Sequence, residues 1–190
     1  MITVSDFDSY IPDTHVIVII DVSGSMNSKV EIPESAKGES GALTILQLVK
    51  HALKTIVHTL DETHKLSLIT YSSEARTVIS HLPMSDVNKI STDVEIDRLK
   101  ATYETNVWDG LCKGMECANR HDTAGQLTTM MLLTDGIPTA RFVPPRGHGS
   151  MLKKWYEANK KFTVGTAIFG YSVDSGVMDE IAVAGGGSLY

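Results

Sequence analysis

Residues 15–25 read HVIVIIDVSGS, and this stretch decides the fold. HVIVII is a near-continuous run of apolar, mostly β-branched side chains. Such a run suits a central parallel strand covered on both faces rather than a half-exposed one. It ends on Asp21, and Asp21-Val22-Ser23-Gly24-Ser25 leaves its carboxyl end. Alternate residues of an extended segment point the same way, so Asp21, Ser23 and Ser25 converge. Gly24 lets the chain bend between the two serines. One carboxylate and two hydroxyls on a single point form a hard, all-oxygen donor set. It suits Mg²⁺ or Mn²⁺ and suits zinc poorly.

Outward from this strand, helical and strand patterns alternate. Residues 23–40 are rich in Ser, Gly, Glu and Lys and read as a long loop, and residues 41–60 carry apolar side chains at helical spacing. KLSLITY (65–71) and ARTVIS (75–80) read as strands. The link 72–74 is too short for a parallel crossover, so these two pair as an antiparallel hairpin. Helices are expected at 85–100 and at 106–118, the second capped by Asn106. TTMMLL (128–133) is a buried strand that ends at Thr134-Asp135-Gly136. A loop at 137–149, a helix at 150–160, a strand at 162–169 and a short helix at 175–184 follow, and Gly185–Gly187 leads to a last strand starting at Ser188. This alternation predicts an α/β domain: a doubly wound, mostly parallel sheet with helices on both faces. Sites in such sheets lie beyond the carboxyl ends of the strands, where Asp21 and Asp135 both sit.

Composition narrows the function classes. The 190 residues suffice for one domain with a real core, and 42% are hydrophobic. The net charge of −6 argues against a general nucleic-acid binder and against docking on an anionic membrane. No apolar run approaches the roughly 20 residues of a membrane span. The first 14 residues read as a polar N-terminal extension without the features of a secretory signal, so a cytoplasmic protein is expected. Cys112 and Cys117 lie on one expected helix with side chains about 140° apart, which disfavours a disulfide between them.

DVSGS (21–25) matches the Asp-x-Ser-x-Ser signature of von Willebrand factor type A (VWA) and integrin I-type domains. ETNVWDGL (104–111) and LLTDG (132–136) resemble two further segments of that family, in the right order on the expected elements. The resemblance runs from about His15 to the end. It implies a Rossmann-like, six-stranded sheet of order 3-2-1-4-5-6 with one antiparallel edge strand. It also implies a metal-ion-dependent adhesion site at Asp21, Ser23, Ser25, Thr105 and Asp135. In that site Ser23, Ser25 and Thr105 would bind Mg²⁺ (or Mn²⁺) directly. Asp21 and Asp135 would act largely through water, and a Glu or Asp of a partner protein would fill the open position. Two departures stand out. The chain ends as the last strand should start, so the closing strand and helix are expected to be shortened or missing, and the 27–40 connection is long. TDGIPTARFVPPRGH (134–148) further resembles intracellular eukaryotic VWA domains of multidomain proteins, some with ubiquitin-ligase or Hint-like modules.

Other features read as structural. The seven histidines show no zinc spacing, and only His148 lies near the Asp135 loop. Arg141 and Arg146 read as solvated loop charges, Trp108 as core packing, and Gly185–Gly187 lacks the Lys-Ser/Thr of a phosphate loop. A Mg²⁺-dependent phosphatase of the haloacid-dehalogenase type needs a second Asp at position 23, where this chain has Ser. Ser23 also fails the Gly-x-Ser-x-Gly pattern of a hydrolase nucleophile. The expectation is therefore a non-enzymatic, monomeric, cation-dependent protein-binding module. A metal-independent scaffold is the alternative.

Overall fold

The computed structural model describes residues 13–30, 43–159, 161–170 and 175–190. The expected N-terminal extension up to residue 12, the 31–40 part of the long loop and the expected helix start at 41–42 lie outside these. Six strands form one sheet of order β3-β2-β1-β4-β5-β6. They are β1 (Thr14–Asp21), β2 (His64–Tyr71), β3 (Ala75–Pro83), β4 (Leu127–Thr134), β5 (Thr163–Ile168) and β6 (Gly186–Leu189). Every neighbouring pair is parallel except the β2–β3 hairpin. The helices are α1 (Ile45–Thr59), α2 (Asp86–Asp97), α3 (Val107–Arg120), α4 (His148–Asn159) and α5 (Ser175–Ala184).

β1 is central, so both of its faces are buried. Val18 and Ile20 meet α1 residues Val49, Leu53 and Val57 on one side. Ile17 and Ile19 meet Val107, Leu111 and Met115 of α3 on the other. Each such apolar side chain stabilises the fold by roughly 1.5–3 kcal/mol when fully buried. This double burial is why the strand shows no polar alternation.

Local chemistry corrects several expected boundaries. α1 begins at Ile45 because Thr44 accepts from Gln47 N–H while the Gln47 side chain accepts from Thr44 N–H, a reciprocal cap that fixes the first turn. The loop after Ser23 is not wholly irregular, since Gly24–Asn27 form a 3-10 turn. α4 starts two residues earlier than its pattern indicates, at His148. β6 likewise starts at Gly186, not Ser188, because Gly187 packs flat on β5. A Cβ on Gly187 would lie 2.2 Å from the Val164 carbonyl oxygen and 2.6 Å from its carbon, backbone atoms that cannot turn aside. Gly187→Ala is thus expected to push β6 off β5 and cost about 1–3 kcal/mol. An unchanged urea midpoint would refute this close approach.

Three histidines far apart in sequence meet at the amino end of the sheet. His15 is fully buried, and its ring stands edge-on to His81 (4.6 Å) and His121 (5.9 Å), which stack flat on each other at 4.5 Å. Ser67 Oγ accepts from the His81 N–H (2.8 Å) and the Cys117 thiol (3.3 Å), so its own proton goes to His15 Nε2, 2.8 Å away. That leaves the proton of neutral His15 on Nδ1, which is buried without a partner among the described residues. His81 sits at φ 48, where the β2–β3 register shifts between Leu66 and Leu68 in a β-bulge. No spacing along the chain announces this cluster.

Candidate metal centre

The site stands at the carboxyl end of β1. Asp21 is the last residue of that strand, paired in register with Tyr71, the last residue of β2. On the other side β4 brings Thr134, next after Leu133, the register partner of Ile20. The Asp21 carboxylate is fully buried and receives three donors: Ser23 N–H on Oδ1 (2.8 Å), and Thr134 Oγ–H (2.7 Å) and Tyr71 Oη–H (3.3 Å) on Oδ2.

The chain then turns back over it. Gly24 N–H donates to the Tyr103 carbonyl (2.9 Å), and a Cβ there would stand 3.3 Å from that oxygen. Ser23 Oγ lies 3.1 Å from Ser25 Oγ, and the Ser25 hydroxyl donates to Asp135 Oδ1 at 2.9 Å. Thr105 is clamped from two sides: its N–H donates to Thr139 Oγ1 (3.1 Å), and its carbonyl accepts from Thr139 N–H (3.0 Å). Gly136 lies between Thr105 and Asp21: a Cβ there would lie 3.5 Å from Thr105 Oγ1 and 3.6 Å from Asp21 Oδ2, so both oxygens flank the same backbone position. All five expected residues therefore come together. Ser23, Thr105 and Asp135 are buried and Ser25 is exposed, so the cluster opens to solvent on the serine side.

The electrostatics are those of an acid pair without a counter-charge. Burial raises the Asp21 carboxyl above the usual range, and hydrogen bonds from the Ser23 hydroxyl, Thr134, the Ser23 N–H and Tyr71 pull it back only in part. Burial, then the charge of Asp21, pushes Asp135 up to about 6, against the Ser25 hydrogen bond. Tyr71 is raised well above the ordinary phenol value, by burial first and by Asp21 next, so it stays a donor. Neither carboxylate has a Lys, Arg or His ion-pair partner among the described residues. Nor do three His, Cys, Asp or Glu side chains gather into a metal site among them. The donor set is two carboxylates and three hydroxyls, which fits a hard divalent cation and lacks the Cys and His ligands of a typical structural zinc site.

The neighbouring residues divide. Asn106 caps α3 as expected, accepting from Asp109 N–H at 3.1 Å. Trp108 packs against the α3-side core. Arg141 is not merely solvated: it forms an ion pair with Glu104, and its guanidinium lies over the Phe142 ring. His148 is buried against Trp108 at 6.4 Å with Nε2 unpartnered among the described residues, and burial lowers its pKa. Tyr71 and Thr134 were not legible as site residues. A Tyr on a buried strand end needs a partner for its hydroxyl, and that was the available signal.

The profile of the von Willebrand factor type A domain matches residues 16–137. The chain belongs to this family. VWA domains generally mediate protein–protein interactions and are generally non-enzymatic. Among curated proteins no sequence relative matches. Solved structures share the fold of this VWA domain. A VWA protein from Catenulispora acidiphila superposes with a TM-score of 0.75 at 19% identity, over 94% of this chain and 38% of that one. This chain thus spans well under half of that relative's length. The BatB protein of Bacteroides thetaiotaomicron gives 0.70 at 16% identity, over 93% and 88%. Proximal thread matrix protein 1 of the mussel byssus, with zinc in its adhesion-site motif, gives 0.66 at 16% identity, over 94% and 41%.

Proposed function

We propose that this VWA domain is a divalent-cation-dependent protein-binding module. One observation carries the reading: two buried acids, Asp21 and Asp135, face a shared set of hydroxyls with no protein cation to neutralise them. Ser23, Ser25 and Thr105 would hold Mg²⁺ (or Mn²⁺) directly, with Asp21 and Asp135 acting through its waters. The bound ion would supply a Lewis-acidic attachment point for an Asp or Glu of the partner. Beside the cluster an open cavity of about 660 Å³ runs past Ser25, Thr105 and Asp135 to apolar Leu48, Ile137 and Phe169. It offers room for the side chains that flank such a residue.

The reading places the domain in an intracellular, multidomain setting, in keeping with its two free cysteines. Among the described residues no helix is long and apolar enough to cross a membrane. A metal-independent scaffold is the second reading, favoured by the Ser25–Asp135 hydrogen bond that closes the site on itself.

Calorimetric titration of Mg²⁺ and Mn²⁺ separates the two. One site per chain is expected at pH 7.5. The affinity should fall as pH drops through about 6, where Asp135 takes up a proton that competes with the ion. A folded domain that evolves no saturable heat with either ion would leave the scaffold reading.

A further inference from the structure

The three hydrogen bonds on Asp21 restrict more than its orientation. A carboxylate offers about four acceptor positions, two on each oxygen. Both positions on Oδ2 are filled, by the Thr134 hydroxyl at 2.7 Å and the Tyr71 phenol at 3.3 Å. One position on Oδ1 is filled by Ser23 N–H. The Ser23 hydroxyl bears on the same carboxylate, so Oδ1 has room for one water of a bound ion only once that hydroxyl turns to the ion.

The Tyr71 ring has little freedom to withdraw. It is fully buried, and the α3 backbone presses on it at Gly110, where even a Cβ would stand 2.8 Å from ring Cδ1. Thr134 is held as firmly. It is fully buried, and its Oγ1 accepts from Gly136 N–H at 3.1 Å, which commits its proton to Asp21.

We infer that Tyr71 and Thr134 are positioning residues that set which divalent ion the centre accepts; the inference rests on the metal reading above. Ca²⁺ takes six to eight oxygens and commonly grips a carboxylate through both, whereas Mg²⁺ needs few protein ligands and keeps its waters. With Oδ2 capped twice, Asp21 cannot close on a large ion as a bidentate ligand. It can still accept a water of a small one. Removing the phenol reopens Oδ2, which benefits the large ion and loosens the geometry on which the small one depends. Loss of an orienting partner of this kind typically costs 10–100-fold in metal affinity.

The test is calorimetry with MgCl₂ and CaCl₂ on the native domain, Tyr71→Phe, Thr134→Val and Thr134→Ser, with thermal midpoints as the check on folding. The native domain is expected to prefer Mg²⁺. Tyr71→Phe and Thr134→Val should each shrink the Mg²⁺/Ca²⁺ affinity ratio about tenfold, and Thr134→Ser, which keeps the hydroxyl, should restore it. A purely structural role would lower the midpoint and weaken both ions alike. An unchanged ratio in Tyr71→Phe and Thr134→Val overturns the inference while leaving the metal reading intact. A native domain that binds neither ion removes both.

Discussion

Asp21→Asn is expected to lose at least about 100-fold in Mg²⁺ or Mn²⁺ affinity, or about 2.7 kcal/mol, while the fold survives. The amide has nearly the volume of the carboxylate, so β1 and its neighbours need not move. It still offers one oxygen to Ser23 N–H. Its amide nitrogen instead faces the Thr134 and Tyr71 hydroxyls that donate to Oδ2 in the native domain, so at least one of these buried hydroxyls must turn its proton away. What disappears is the charge, and with it half of the acid pair that would hold the ion. Burial already disfavours that charge in the metal-free domain. That relief partly offsets the roughly 1–3 kcal/mol of a buried hydroxyl left unpaired, so the metal-free variant should stay folded with a modest loss of stability. The native domain should gain thermal stability with saturating ion and the variant should not, because only a ligand that binds the folded state stabilises it. If the variant keeps an affinity within tenfold of native, Asp21 is not part of the centre.

The second large effect lies at the opposite end of the same strand. Burial, followed by the nearby His81 and His121, holds His15 down to about 3, while its unfolded value is the ordinary 6.5. Above pH 6.5 neither state is protonated at this residue, and nothing is lost. Below it the unfolded chain takes up a proton that the folded one refuses, so stability falls with pH down to about 3. Between pH 7.5 and 5.0 this amounts to about 2 kcal/mol, taking 1.36 kcal/mol for each pH unit below 6.5. His15→Gln removes the titrating ring and keeps a polar reach towards Ser67. Whatever it costs at pH 7.5, its deficit relative to native should narrow by about 2 kcal/mol at pH 5.0. Asp13, whose charge opposes the shift, and Arg120, whose charge lowers the His121 pKa, are present in both proteins. Urea unfolding at the two pH values decides it, and a deficit that stays constant would mean that His15 takes up its proton as readily in the folded domain as in the unfolded chain.

Much of the architecture was readable along the chain. The unbroken run before Asp21 announced a central strand, and the three-residue link at 72–74 forced the hairpin. The five proposed ligands were readable because each sits at a strand end or in a loop with short-range constraints of its own. What escaped was set by register and packing. Tyr71 reads as one more strand aromatic until pairing puts it level with Asp21. Thr134 reads as a turn residue until its hydroxyl meets that carboxylate. His15, His81 and His121 belong to a core strand, a bulge and a helix end, and only the fold brings their rings together. Where α1 begins depended on a side-chain cap that hydrophobic spacing does not encode.

The break in β3 at His81 bears on how the molecule behaves in a crowded solution. Open sheet borders invite further strands, from a second copy or from a growing fibre, and proteins blunt them with bulges and short outer strands. Here one border is interrupted by the bulge at His81 and the other is a four-residue strand. Among the described residues neither side presents a long, regular ladder on which a foreign strand could settle. Self-assembly by extension of these described strands is thereby discouraged.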